Sequence, residues 1–485
     1  MSLRFNVAKK VTPKILINLG ALFDIPTGAY VIGNKGESIM NGGLGQNTGI
    51  VGGGNNFKSS TLHYFMLSAA NKIFSTADSA MSTYDTEVNI AIDRLEKVAN
   101  NFKYIPKNPI TGGEAIWSLT DKSLLPADQW FNSVLDYAGE KEKDKSIKVK
   151  LTAFRDPYSK PGENKPLEIT LPTFVEIDSL SEFEPESTID MVEKNVEDSN
   201  TVFMKQGLFK TKVLSALPRV SNSSNTYFLL TAQIGEKIDM ATGPAKYQQP
   251  SKKLQHLKAG DTIKGVSGKF FYLLNNAWFA HTASVLKNAT TKLAEYPKDT
   301  NDTLETDLNI VRLTQLRSKS GPSGYTLEIV VSQTDGILDY LTEFHHIKTN
   351  NRFGLEGNDR SYALVLVPDV KLGRTTVRTK LAESEKLQRA VNITSELLQL
   401  HKFHHNLKEE QLLCTTEELY KDLIDLGYDW DILLDTRGWW TVDQYSDKVK
   451  PFLSTLDLLK MRKGTYIPYW YDKSKIKKVE KNDGK

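Results

Sequence analysis

The sequence predicts an α/β fold, a mainly parallel sheet with helices on both faces, followed by a helical C-terminal extension. Three stretches predict it. A short apolar run at 48–51 leads into GGGNNFKSS at 52–60 and then into a segment of helical composition at 61–70. A second apolar run at 80–84 closes on Asp85-Thr86-Glu87, and a third at 173–177 closes on Asp178-Ser179. Buried strands that alternate with helical segments and end in polar turns are the pattern of a parallel sheet with crossover helices.

Length and composition bound the rest. A chain of 485 residues holds two to three domains, or one large core with extensions. Hydrophobic residues make up 39% and charged residues 25%, an ordinary globular balance. There is no apolar run of membrane-spanning length, and the basic start MSLRFNVAKKVTPK is not followed by an apolar signal region, so no membrane partner is expected. The single cysteine, Cys414, excludes an internal disulfide, points to a reducing, cytoplasmic compartment and argues against a cysteine zinc site. With 62 basic and 59 acidic residues the net charge is +3, so any surface for nucleic acid must be local.

The glycine stretch carries the first chemistry. Strand, glycine-rich turn, lysine, hydroxyl and helix place converging backbone N–H groups and a helix N-terminus against phosphate. The binding set is Gly52, Gly53, Gly54, Asn55, Asn56, Phe57, Lys58, Ser59 and Ser60. Lys58 would reach the β- and γ-phosphates and the Ser59 hydroxyl would sit on Mg²⁺. Phe57 stands where G-x-x-x-x-G-K-[ST] has its second glycine, so its side chain must turn away from the nucleotide. A chance glycine turn before a lysine is the bland explanation, and the two further stretches weigh against it. Glu87, at the end of the neighbouring strand, is the candidate to polarise a water. Taken alone it reads more readily as a helix-start carboxylate, because 88–99 has amphipathic helical spacing. Asp178, at the end of an apolar strand, suits the Mg²⁺ water shell, and an ordinary strand-end aspartate is its bland counterpart. Glu176 interrupts that run, which is unusual in a central parallel strand.

The remaining elements follow in order. Residues 1–42 are glycine-punctuated, and apolar runs at 14–19 and 29–32 read as strands and turns leading into a core over 43–355. Residues 126–139 read as a helix opened by Pro126 and closed by Gly139, followed by a solvated charge run at 140–145. Strands at 149–154 and 167–171 form a hairpin inserted at about 146–170. An acidic surface segment at 182–199, a helix at 206–220 and a strand at 227–233 ending in Gln233 come next. From 237 to 269 seven lysines face two aspartates: Lys237, Lys246, Lys252, Lys253, Lys258, Lys264 and Lys269, with Tyr247 and His256 interleaved among glycines. A long basic loop at strand ends is a candidate contact for single-stranded nucleic acid, weighed equally with a solvated flexible loop. Residues 270–274, 309–316 and 325–332 read as strands around a turn at 317–324. Arg317 and Lys319, two apart, project the same way and could reach a phosphate on a neighbouring subunit, although surface charges on a hairpin are commoner. In the extension, 356–472, helices are expected at 383–405, from the Thr415/Glu418 capping box to 426, and at 451–461. The tail 473–485 is lysine-rich and expected to be disordered. His401, His404 and His405 cluster without a carboxylate or cysteine, which makes a poor metal site.

Read together, GGGNNFKS, YDTE, VEIDSL, TAQIGEK and RSKSGPSGYTLEIV resemble the RecA/UvsX family of recombinases over roughly 43–355, with the UvsX branch of tailed phages most similar. The resemblance implies a RecA-type P-loop ATPase core and a DNA-dependent ATPase that uses ATP and Mg²⁺. It implies that Lys58 and Ser59 bind phosphate and Mg²⁺, Glu87 activates water and Asp178 is the Walker B acid. Gln233 becomes the amide that senses the γ-phosphate and relays it to a DNA-binding loop at 234–268, and Arg317 and Lys319 become cations that reach the neighbour's ATP. The implied partners are single-stranded DNA and further copies of the chain, with a filament favoured and a ring possible. The implied setting is recombination, repair and replication by a phage protein in the host cytoplasm. No N-terminal helical polymerisation region is recognisable before Gly43, and the hairpin insertion and the region after 355 have no family counterpart. The turn at 321–324 is also similar to hexameric DnaB-type replicative helicases, which carry an N-terminal domain that is not evident here. A ring helicase is therefore one alternative, and an ATP-gated structural or assembly protein is another.

Overall fold

The computed structural model describes residues 11–476 except 114, 161, 194–198, 235–262, 299–303, 359, 404–406 and 408. Ten strands build its central sheet: β1 (Asn47–Gly52), β2 (Met81–Asp85), β3 (Trp117–Asp121), β4 (Thr173–Asp178), β5 (Thr226–Gln233), β6 (Asn276–Ala280), β7 (Ser284–Val285), β8 (Leu308–Ser318), β9 (Thr326–Ser332) and β10 (Gly336–Ile337). Their order is β10-β9-β8-β6-β1-β5-β4-β2-β3, with β7 beside β8. The six from β6 to β3 are parallel, and β8, β9 and β10 continue the sheet antiparallel. The molecule is thus mixed α/β around a mainly parallel sheet.

Alternation along each strand explains the two covered faces. Ile50, Phe174 and Leu229 point to one face, where the helix Lys58–Phe74 contributes Leu62, Phe65, Met66 and Ile73. Val51, Val175, Phe228 and Leu230 point to the other, under Trp130 and Phe131 of the helix Ala127–Lys143 and Val213, Leu214 and Leu217 of the helix Ser199–Ser224. β1 is flanked by β5 and β6, both from later in the chain, while the helix after β1 crosses to β2, beyond β5 and β4. That reversal opens a crevice at the carboxyl end of β1, where α/β sheets bind ligands. The register aligns Gly52 with Gln233 and Ala280, and Asp85 with Asp178.

Several boundaries depart from the sequence reading. Residues 270–274, expected as a strand, form the helix Lys269–Leu273. An apolar run without periodicity fits either element, and here Phe270 lies so close to Gly49 that a Cβ there would meet its ring at 2.5 Å. The helix expected to stop at Gly139 runs to Lys143 and carries buried Lys141 to the Thr173 hydroxyl at 2.8 Å. The N-terminal region contains an unforeseen helix, Ala21–Thr27, before the hairpin of Ala29–Ile32 and Ser38–Asn41. The inserted hairpin is present as Lys148–Arg155 paired with Pro166–Thr170.

After 354 a three-stranded sheet (Leu355–Asn358, Ser361–Leu364, Val367–Leu372) precedes the helices. Ser384 caps the helix Glu385–Lys402, and the Thr415/Glu418 box opens Thr416–Asp425 as expected. The extension is built into the core. Leu397, Leu458 and Leu459 share one apolar cluster with Ile25, Leu308 and Val330, and the Trp440 indole donates to the Leu16 carbonyl at 3.1 Å. No helix among the described residues is long and apolar enough to cross a membrane.

Candidate functional site

The loop 52–60 leaves β1 at Gly52, where a Cβ would stand 2.7 Å from the Ala280 carbonyl, so only glycine fits. Gly53 and Gly54 are not crowded in this way. Asn55 and Phe57 adopt left-handed φ values of 56° and 52°, each at a cost of roughly 1–2 kcal/mol. Packing of the Phe57 ring against the core and the anchoring of its carbonyl offset that cost, for the carbonyl accepts from Thr61 N at 2.9 Å and Thr61 Oγ1 at 2.7 Å. The phenylalanine thus occupies the glycine position with its partly buried ring turned against the core. The Asn56 amide ties the loop to the Ala280 carbonyl at 3.1 Å. The Lys58 ammonium folds back onto the Gly53 carbonyl. Burial lowers the Lys58 pKa, while the charges of Asp178 and Glu87 oppose the shift. Lys58, Ser59 and Ser60 form the first turn of a 17-residue helix, whose free N–H groups face the crevice end of β1.

Carboxylates close the other side. Asp178 is buried and accepts from the Thr231 hydroxyl at Oδ1. Its peptide to Ser179 is cis. Thr86 N donates to the Asp178 carbonyl at 2.7 Å and Ser179 N donates to Thr86 Oγ1 at 2.7 Å, which stitches the ends of β2 and β4 together. Glu87 is exposed, with Oε1 accepting from Gln233 Nε2 at 3.3 Å and Oε2 from Asn89 Nδ2 at 2.9 Å. The Asp85 carboxylate holds this loop by accepting from the backbone N–H groups of Glu87, Val88, Asn89 and Ile90 at 2.8–3.1 Å. Those four N–H groups are spent on Asp85, so the helix expected from 88 begins at Ile92. Gln233 is positioned by its N–H to Ser181 Oγ at 2.9 Å, and its carbonyl accepts from Lys264 N at 2.9 Å.

The strand ends therefore bring Lys58, Ser59, Glu87, Asp178 and Gln233 to one crevice. Arg317 and Lys319 lie elsewhere. Arg317 pairs with Ala277 near the start of β6, whereas the loop abuts Ala280 at its end, about 10 Å further along the strand. Lys319 N donates to the Asn275 carbonyl at 3.0 Å, and burial, then Lys14 and Arg317, lower its pKa. Neither cation can serve the loop of its own chain. Lys264 is paired with Glu182 at 2.7 Å and Lys269 donates to Ser215 at 3.2 Å. Lys237, Lys246, Lys252, Lys253 and Lys258 lie outside the described residues, as do Tyr247, His256, His404 and His405. His401 bonds the Cys414 carbonyl at 2.9 Å. Among the described residues no group of three or more His, Cys, Asp or Glu side chains is placed to hold a metal.

Sequence reasoning passed over Asp85, Thr231 and the explanation of Glu176, and named Asn56 without its tie to the Ala280 carbonyl. Glu176 is fully buried. Its Oε2 meets His63 Nδ1 at 2.9 Å and accepts from Thr83 Oγ1 at 2.7 Å. Burial acts to lower the His63 pKa, but the charge and hydrogen bond of Glu176 outweigh it and hold it above its ordinary value. The glutamate in an apolar strand was the legible signal. Its partner, on the helix after the loop, was not.

No protein-family model matches the chain. Nor does any curated protein.

Proposed function

We propose that the chain is a DNA-dependent ATPase of recombinase type, with a RecA-type P-loop core that binds ATP and Mg²⁺ at 52–60 and couples hydrolysis to binding of single-stranded DNA. The observation that carries the reading is the meeting of Glu87 and Gln233 at 3.3 Å, across the crevice where Lys58 and Asp178 also converge. The donor set fits a Mg²⁺ triphosphate. Amide N–H groups, an ammonium partly stripped of water, a first-turn hydroxyl and a carboxylate surround a loop in which Gly52 admits no Cβ. Mg²⁺, held through Ser59 and Asp178, would neutralise charge on the β- and γ-phosphoryl oxygens.

In this reading Lys58 and the loop N–H groups orient the γ-phosphoryl group. Glu87 takes a proton from the attacking water as the water oxygen bonds to phosphorus. The bond from phosphorus to the bridging oxygen breaks, and ADP leaves with its electron pair. The Gln233 amide, which bonds Glu87, is the group placed to exchange that bond for a γ-phosphoryl oxygen. It thereby links nucleotide state to the segment that follows it. Arg317 and Lys319 lie by the start of β6, away from the loop of their own chain, so in this reading the cations that stabilise the transition state would come from a neighbouring copy.

Glu87→Gln is expected to bind ATP like the parent and to hydrolyse it at least 100-fold more slowly, since only water activation is removed. Hydrolysis at the parent rate refutes the assignment. Pairing and exchange of homologous strands by the parent protein is the matching biological assay, and efficient ATP-driven unwinding of a forked duplex would replace the recombinase with a ring helicase.

A further inference from the structure

A second polar cavity, of about 550 Å³, lies where β8 and β9 meet the helices Asp339–Thr349 and Glu385–Lys402. Its wall is built from connected nitrogen and hydroxyl groups. His281 Nε2 meets Thr314 Oγ1 at 2.8 Å. Lys402 Nζ donates to Asn350 Oδ1 at 2.6 Å and lies 3.4 Å from His346 Nε2. His345 lines the same space. The one carboxylate in the lining, Glu328, is taken by Arg312, whose Nη2 donates to it at 2.9 Å. Among the described residues no carboxylate pairs with Lys402.

We propose that this cavity binds a phosphate ester, with Lys402 supplying the charge and the imidazoles of His281, His345 and His346 lining the pocket around it. The chemistry is that of a site made for an oxyanion. Lys402 brings a cation that no carboxylate among the described residues pairs with, and imidazole, hydroxyl and amide groups line the rest of a partly dehydrated wall, where charge-assisted bonds gain strength. The titration of the histidines fits. Burial, and then the charge of Lys402, press His346 down to about 3, and burial lowers His345 too. A bound dianion would oppose both effects and make the imidazoles better donors. The charged and titratable groups facing the cavity are His281 from the segment after β6, Arg312 from β8, Glu328 from β9, His345 and His346 from one helix and Lys402 from the other. The site does not depend on the reading of the loop 52–60. It lies one residue beyond Ala280, whose carbonyl anchors Asn56 of that loop.

The test is titration of the full-length chain with inorganic phosphate, followed through the histidine imidazole resonances. To keep the loop from contributing, it is done in Lys58→Ala as well as in the parent. Phosphate is expected to shift the His345 and His346 resonances in both backgrounds. Lys402→Met, an exposed substitution at a helix end, should weaken that binding about tenfold or more, the scale of one charge-assisted bond. A 5′-mononucleotide and a single-stranded oligothymidylate are then used as competitors. Displacement by the mononucleotide identifies a free nucleotide as the source of the ester, and displacement only by the oligomer identifies a nucleic-acid backbone. Absence of any histidine shift, a shift undiminished in Lys402→Met, or displacement by neither competitor overturns the proposal.

Discussion

Asp457 is one of several buried carboxyls, with Asp24 and Glu343, that shape the chain's response to pH. It completes the capping box that Ser454 opens on the helix Thr455–Arg462 and also accepts from Ser38 N at 2.8 Å, so it joins the extension to the N-terminal hairpin from a fully buried position. Burial pushes its carboxyl up to about 7, against the lowering effect of those hydrogen bonds. A carboxyl with a folded pKa above its unfolded value keeps extra protons in the folded state. Its burden is absent below about 4, grows as pH rises and is complete above about 7. Asp457→Asn keeps an acceptor without the charge. Its urea midpoint is expected to fall less steeply than the parent's between pH 4 and pH 7. An identical slope would show that Asp457 does not carry the effect.

At the scale of the element, the loop between β2 and the helix Ile92–Ala99 is held by one side chain. Asp85 gathers four consecutive N–H groups, and Glu87 is presented on the loop so formed. Asp85→Ala leaves those donors without their acceptor. It should lower stability by about 1–3 kcal/mol and reduce turnover by roughly ten- to a hundredfold while nucleotide affinity stays within a few-fold, because Lys58 and the glycine loop are untouched. Parallel measurement of the nucleotide dissociation constant and the hydrolysis rate separates these effects. A loss of affinity as large as the loss of rate would mean that Asp85 supports the loop 52–60 instead. The same residue explains an error of boundary. The helical spacing from 88 is real, but N–H groups bonded to a carboxylate two to five residues earlier start no helix there.

At the scale of the molecule, two features govern behaviour. The extension completes the core, since Leu308 and Val330 of β8 and β9 are covered by the same cluster that contains Leu397 and Leu458. A chain ending at 355 is therefore expected to lack a cooperative urea transition, and a sharp transition in near-ultraviolet circular dichroism would contradict this. The second feature is the separation of Arg317 and Lys319 from the loop of their own chain. Under the proposed function each site draws on two copies. Mixing Lys58→Ala subunits with Lys319→Ala subunits should restore DNA-stimulated hydrolysis that neither variant shows alone, because some interfaces then hold both intact halves. No recovery, with mixed assembly shown by co-purification, would mean that the site is not shared.

What the sequence determined by itself is local. The apolar runs ending at Gly52, Asp85, Asp178 and Gln233, and the capping box at Thr415 and Glu418, depend on neighbours within a few residues, and each stands where its pattern placed it. The polar strand ends were therefore legible as members of a candidate site before their arrangement was known. The tertiary structure alone decided which strands lie beside β1, and so that Glu87 and Gln233 meet. It decided that Glu176 belongs to His63, that 270–274 coils over Gly49, and that residues after 354 first form a sheet. The physical reason is the same in each case. Periodicity records whether a side chain is buried, not which neighbour buries it. A polar group in an apolar run announces a partner without naming it, because that partner is brought by chain crossovers of a hundred residues or so, as His63 is brought to Glu176 across |i−j| = 113.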